Sequence, residues 1–140
     1  MAESIFLHKG HRILWLGILL ESWVCPQIAD AVVVFVHWGT EYDAEPDEQQ
    51  EEYTRYFLEK GVDVVVGTHP HVVQPYEIVQ DDNGHEMLVY YSLGNLVSAQ
   101  EPEECKTGGL AKFALVKKAE GGTSIEDYSL EPVTIDLLTE

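Results

Sequence analysis

The run Val32-Val33-Val34-Phe35-Val36, "VVVFV", decides the fold. It is β-branched and apolar with no polar alternation, the pattern of a strand buried on both faces, as in a parallel sheet. It ends at His37-Trp38-Gly39, and a second such run, "VDVVV", follows at Val62 to Val66. Between them lies "EYDAEPDEQQEEYTRYFLEKG". Pro46 suits the first turn of a helix, where its missing N–H costs nothing. Asp47, Glu48, Glu51 and Glu52 crowd the N-terminal half and Lys60 stands at the end, matching the helix dipole. Gly61 is the expected stop. Gln49, Tyr53, Tyr56, Phe57 and Lys60 share one helical face, whose aromatic rings would pack on the sheet. Strand, helix and strand make a βαβ unit with parallel strands and a right-handed crossover.

The pattern then changes. "VVQPYEIVQ" and "EMLVYYSLGN" flank Asp81-Asp82-Asn83-Gly84-His85, and Asn-Gly between two apolar segments predicts a hairpin. A polar loop is expected around Glu101 to Gly109. "LAKFALVKK" and "TSIEDYSLEPVTIDLL" read as two further strands joined at Glu120-Gly121-Gly122. The fold class is therefore α/β, a βαβ unit followed by antiparallel strands. At 140 residues the chain is expected to form a single domain. Near the N-terminus, Lys9 and Arg12 precede "ILWLGILL", which has the look of a short signal-peptide core with Ala29-Asp30-Ala31 as a cleavage site. Glu21 directly after the apolar run, and the long gap to Ala31, favour a buried strand instead.

The chain carries 8 basic and 25 acidic residues, a formal net charge of −17. Such a field repels nucleic acid and anionic membrane surfaces and attracts cations. A phosphate or carboxylate substrate would need a local positive centre, which a bound metal supplies. Two cysteines, Cys25 and Cys105, are too few for a disulfide framework or a zinc ribbon. There is no nucleophile elbow, no P-loop and no dinucleotide fingerprint.

His37 follows the first buried strand, and His69 and His71 follow the second, in "VGTHPHV". Parallel strands bring these histidines to one carboxyl edge, where open α/β sheets place ligands. Pro70 keeps His69 out of the helical region, so the segment is expected to be extended, with both imidazoles on one side. His37, His69 and His71 are thus candidate ligands of a divalent metal such as manganese, zinc or iron. Glu41 is open to several readings: ligand, carboxylate orienting a histidine, general base, or solvated acid in an acidic stretch. Asn95 is either a contact for substrate or for a metal's water, or a turn-forming residue beside Gly94. His85 is expected to face solvent at the hairpin tip. Trp38 either shields the site or caps the core.

His37-Trp38-Gly39-Thr40-Glu41-Tyr42, Pro46, Gln50, "GVDVVVGTHPHVVQ" and "YYSLGNL" together resemble the CapA/PgsA family of capsule and poly-γ-glutamate biosynthesis, related to calcineurin-like metallophosphoesterases. The resemblance runs from about Ala29 to Asn95 in three blocks. It implies a partial metallophosphoesterase-like sandwich with His37, His69 and His71 as metal ligands, Glu41 in a catalytic role and Asn95 on the substrate side. Thr68 stands where many relatives carry a further histidine. The family's early Gly-Asp and Asn-Asn-His blocks have no counterpart here, so the chain resembles the C-terminal half of the fold, and the metal site is expected to be incomplete. Two readings follow from the resemblance. One is a metal-dependent hydrolase acting on a phosphoester or polyanionic substrate. The other is a non-catalytic accessory or assembly module, with apolar sheet covered by a partner or a second copy. A cell-envelope or extracellular location is implied by the family alone.

Overall fold

A computed structural model describes residues 3–8, 11–17, 29–119 and 121–134, the first two segments as backbone only. Cys25 and the end of the signal-like run after Gly17 lie outside the described residues, which resume at Ala29; of the cleavage-like Ala29-Asp30-Ala31, Ala31 opens β3.

Among the described residues, eight strands and one α-helix follow in order: β1 Glu3–His8, β2 His11–Gly17, β3 Ala31–His37, α1 Glu48–Glu59, β4 Val64–Thr68, β5 Tyr76–Gln80, β6 Glu86–Tyr90, β7 Thr107–Lys117 and β8 Thr123–Thr134. The larger sheet has the order β1-β2-β3-β4-β6-β5, and β7 and β8 form a separate hairpin. β2, β3, β4 and β6 run parallel, with antiparallel β1 and β5 on the outside. The anticipated βαβ unit is β3-α1-β4, and the Asn-Gly hairpin is β5-β6, with Gly84 at φ 84°. The strand expected in "HRILWLG" is β2, paired with β3. The architecture is a mixed α/β partial sandwich, and no described helix is long and apolar enough to cross a membrane.

The two valine runs explain the layering. Alternate side chains of a strand face opposite ways. Val32, Val34 and Val36 join Val65, Met87 and Val89 beneath α1, where Phe57 packs. Val33 joins Val64, Val66, Leu88 and Tyr90 on the other face, covered by Phe113, Leu115, Ile125 and Leu130 of the hairpin. The valines of both runs are therefore buried on either face, which is why the runs show no alternation; Phe35, at 40% exposure, is the exception near the end of β3. Each such valine, fully buried, contributes roughly 1.5–3 kcal/mol. The Tyr90 hydroxyl shares its proton between the Lys112 and Ser129 carbonyls, at 2.8 and 2.9 Å, and rivets the hairpin to the sheet. Burial pushes that phenol up to about 12.

Several local expectations shift. Pro46 lies before the helix rather than in its first turn, because Asp47 is the N-cap in a capping box with Gln50. The buried face is Gln50, Thr54 and Phe57, with Tyr53 and Tyr56 at its margin, so Gln49 and Lys60 are exposed. The polar loop before β7 contains a 3-10 turn at Glu103–Lys106 that buries the Cys105 thiol. His85 is not free in solvent: it is half-buried, and its Nε2 lies 2.8 Å from the Val62 carbonyl oxygen.

At the opposite end of the sheet from the histidines, Asp63 accepts the Val32 N–H at 2.7 Å. Burial raises its carboxyl above the ordinary value, against the opposing effect of that hydrogen bond and of His85. Between the unfolded and the raised value, the folded chain binds the proton better, so this group makes the fold less stable as pH rises. Asp63→Asn keeps an oxygen for Val32 and removes the titration. The stability difference, variant minus wild type, is expected to grow in the variant's favour from about pH 4 to pH 7, followed by urea midpoints. A difference flat in pH would refute the assignment.

Candidate metal centre

The site sits at the carboxyl ends of β3 and β4. Their register continues past the strands, with His37 opposite Thr68 and the Trp38 N–H donating to the Thr68 carbonyl at 3.1 Å. The ladder thus delivers His37 and His69 side by side, with ring centroids 4.3 Å apart.

The His69–His71 segment is not extended. His69 has φ 106° and His71 φ 64°. Pro70 does exclude the helical region for His69, but the chain bends left-handed instead of continuing straight. The bend is held by the Tyr42 N–H, which donates to the Pro70 carbonyl at 2.8 Å. The two imidazoles converge through that turn, with centroids 6.0 Å apart, and not through the two-residue repeat of a strand. Tyr42 itself has φ 65°. Three of the four described non-glycine residues with positive φ therefore belong to this site. Such strain costs about 1–3 kcal/mol per residue and persists where surrounding structure enforces it.

Glu41 is carried by the loop after β3, and two buried glutamines pin that loop. The Gln50 amide donates to Gln74 Oε1 at 2.8 Å, and the Gln74 amide donates to the Asp43 and Glu45 carbonyls, both at 2.9 Å. Gly39, at φ 82°, passes so close to Gln50 that a Cβ there would lie 2.6 Å from its carboxamide. Trp38 caps the core: it is 3% exposed, and its Nε1 donates to the Tyr91 carbonyl at 2.8 Å.

Glu41, His69 and His71 form a group whose ligand atoms all lie within 4.8 Å of one another. His71 Nε2 is 3.8 Å from Glu41 Oε1. A tetrahedral ion with bonds near 2.1 Å spaces its ligands about 3.4 Å apart, so small side-chain movements would close this set. Two imidazoles and one carboxylate suit zinc, manganese or iron. His37 is outside the group but abuts His69. Asn95 Oδ1 lies 3.0 Å from His71 Nδ1, while its Nδ2 donates to Gln100 Oε1 at 2.7 Å and to the Cys105 carbonyl at 3.1 Å. The Gln100 amide donates to the Tyr42 hydroxyl at 3.2 Å.

Sequence reasoning brought the three histidines to the correct edge, but it did not foresee Gln74 and Gln100. Gln50 and Gln74 stand in the blocks that carry the family resemblance. Their place in those blocks was the available signal.

Residues 23–100 match the family model described as bacterial capsule synthesis protein PGA_cap. The PGA biosynthesis protein CapA of Bacillus subtilis (strain 168) is 36% identical over 106 residues, covering 76% of this chain and 27% of that protein. The capsule biosynthesis protein CapA of Bacillus anthracis is 37% identical over 99 residues, covering 71% of this chain and 22% of that protein. The chain spans about a quarter of the length of these curated relatives.

Proposed function

Because the chain belongs to the bacterial capsule synthesis protein PGA_cap family, we propose that it serves capsule biosynthesis through a divalent-metal site at the ends of β3 and β4. In this reading Glu41, His69 and His71 hold the ion, and His37 adds a donor beside His69. The observation that carries it is the mutual approach of the three donor groups within 4.8 Å, on a turn whose backbone is strained. The −17 charge of the chain favours a cation there and disfavours nucleic acid as a partner.

When bound, a divalent ion supplies Lewis acidity toward a phosphoryl or carbonyl oxygen. The chain's own residues do the rest. The Tyr42 ring lies beside that of His71, with centroids 6.0 Å apart. Glu41 is about half exposed, so its carboxylate is accessible from solvent. The substrate class proposed is a phosphoester or a polyanionic capsule polymer such as poly-γ-glutamate, and the cell envelope is the corresponding location.

The test is hydrolysis of a chromogenic phosphodiester and of poly-γ-glutamate with Mn²⁺ or Zn²⁺. Turnover that chelator abolishes is the expected result. Stoichiometric metal binding with no turnover on either substrate would favour a second reading, an accessory module that keeps an ion without chemistry. One three-donor group among the described residues supports that reading, since a two-metal displacement needs ligands for both ions.

A further inference from the structure

We propose that Asn95 and Gln100 are positioning residues that lock the His71 imidazole in its Nδ1–H form, so that the Nε2 lone pair faces Glu41 and His69. This goes beyond the metal reading by assigning the groups that orient one of its donors, and it rests on that reading only for its consequence in metal affinity.

The Cys105 carbonyl can only accept a hydrogen bond, and an Asn95 terminal atom lies 3.1 Å from it. That atom is therefore the amide nitrogen. It follows that the other terminal atom, 3.0 Å from His71 Nδ1, is the carbonyl oxygen. An oxygen there accepts, so His71 Nδ1 carries the proton. In a neutral imidazole the remaining nitrogen, Nε2, is then the lone pair, and it is the one 3.8 Å from Glu41.

Gln100 is oriented by the same logic. Its Oε1 accepts from Asn95 Nδ2 at 2.7 Å, so its nitrogen faces outward and donates to the Tyr42 hydroxyl at 3.2 Å. The relay thus joins two sides of the site, His71 and the Tyr42 side of the loop that carries Glu41. Asn95 is also rigidly held at its backbone. Gly94 bridges to Gly108, and a Cβ on Gly108 would lie 2.0 Å from the Asn95 carbonyl oxygen. The pattern is the one by which metal-binding histidines generally donate their second N–H to a fixed acceptor, whose removal weakens metal binding by roughly 10–100-fold.

The test reads the tautomer directly, by long-range ¹⁵N–¹H correlation on histidine-labelled, metal-free chain at about pH 8, well above the ordinary imidazole value. His71 is expected in the Nδ1–H form, the opposite of the Nε2–H form that free histidine favours. Asn95→Ala should return it to Nε2–H and weaken Mn²⁺ or Zn²⁺ binding by roughly 10–100-fold in calorimetry. Gln100→Ala does not touch His71 but removes one of the two acceptors of the Asn95 amide, leaving the Cys105 carbonyl, and should admit a minor Nε2–H population; Gln100→Glu, which still accepts from Asn95, should restore the single form. An Nε2–H form in the wild-type chain would overturn the proposal, as would an unchanged tautomer in a natively folded Asn95→Ala. Should Asn95→Ala fail to fold, the wild-type spectrum and the Gln100 pair decide. A wild-type lock without any metal binding supports the positioning role and sinks only the metal reading.

Discussion

Replacing His69 and His71 together by alanine is expected to abolish stoichiometric binding of Mn²⁺ or Zn²⁺. The double variant leaves Glu41 alone among the three donors that approach within 4.8 Å. Loss of an outer group that merely orients a ligand costs 10–100-fold, so loss of two ligands should cost at least about 100-fold. The 25 acidic residues will still gather cations loosely. That background is screened at about 0.15 M salt, whereas coordination is not, so titration at that ionic strength separates the two. Unchanged stoichiometric binding in the double variant would remove the site. The fold should survive, because neither imidazole belongs to the buried core. A companion pair sharpens the point. His69→Gly and His71→Gly also lose binding, but they relieve the positive φ at both positions. Each is expected to leave stability unchanged or raise it by up to about 2 kcal/mol, the strain relieved less the extra entropy of an unfolded glycine. Such a gain would mark the turn as a place where function is maintained against backbone preference.

The second large effect is expected at Gly67, the penultimate residue of β4. A Cβ there would lie 1.9 Å from the Tyr91 carbonyl oxygen and 2.4 Å from Trp38 Nε1. These are the two ends of the 2.8 Å hydrogen bond by which Trp38 is tied to the strand end after β6. Neither atom is the tip of a flexible side chain, so Gly67→Ala must separate the strands or expel the indole. Overpacking of this kind costs 1–3 kcal/mol or more, and breaking the buried bond adds about 1–3 kcal/mol. A total near 3–5 kcal/mol is a large share of the 5–15 kcal/mol that holds a typical domain. Urea denaturation of Gly67→Ala should therefore show a greatly reduced midpoint or no native baseline. A loss under about 1 kcal/mol would contradict the packing described. Gly84→Ala is the control: nothing lies within 4 Å of its would-be Cβ, so only its φ of +84° opposes the substitution. About 1–2 kcal/mol is expected there.

Trp38, Gly67 and Gln50 show why part of the site was hidden from the sequence. Trp38 was open to two readings, and the choice depended on a carbonyl at Tyr91, 53 residues away in the chain. Gln50 entered only through the family resemblance, with no role attached, yet it is fully buried and hydrogen-bonded to Gln74. Local periodicity placed Gln49 on the buried face instead of Gln50, because the two neighbouring glutamines are chemically identical and only the distant Gln74 amide selects between them. The left-handed turn at His69 and His71 was likewise invisible. Pro70 excludes one region of backbone space for its predecessor but does not choose among those left. The choice is made by the Tyr42 N–H, which reaches the Pro70 carbonyl from another loop.

By itself the sequence determined the βαβ unit, the two hairpins and the edge at which the histidines gather. Each is a matter of hydrophobic period, turn chemistry and strand direction, which act over a few residues. Tertiary structure alone decided which donors meet. It grouped Glu41 with His69 and His71, set His37 against His69, and placed Asn95 on His71. Those distances are fixed by hydrogen bonds and contacts between loops far apart in the chain, and no local pattern encodes them.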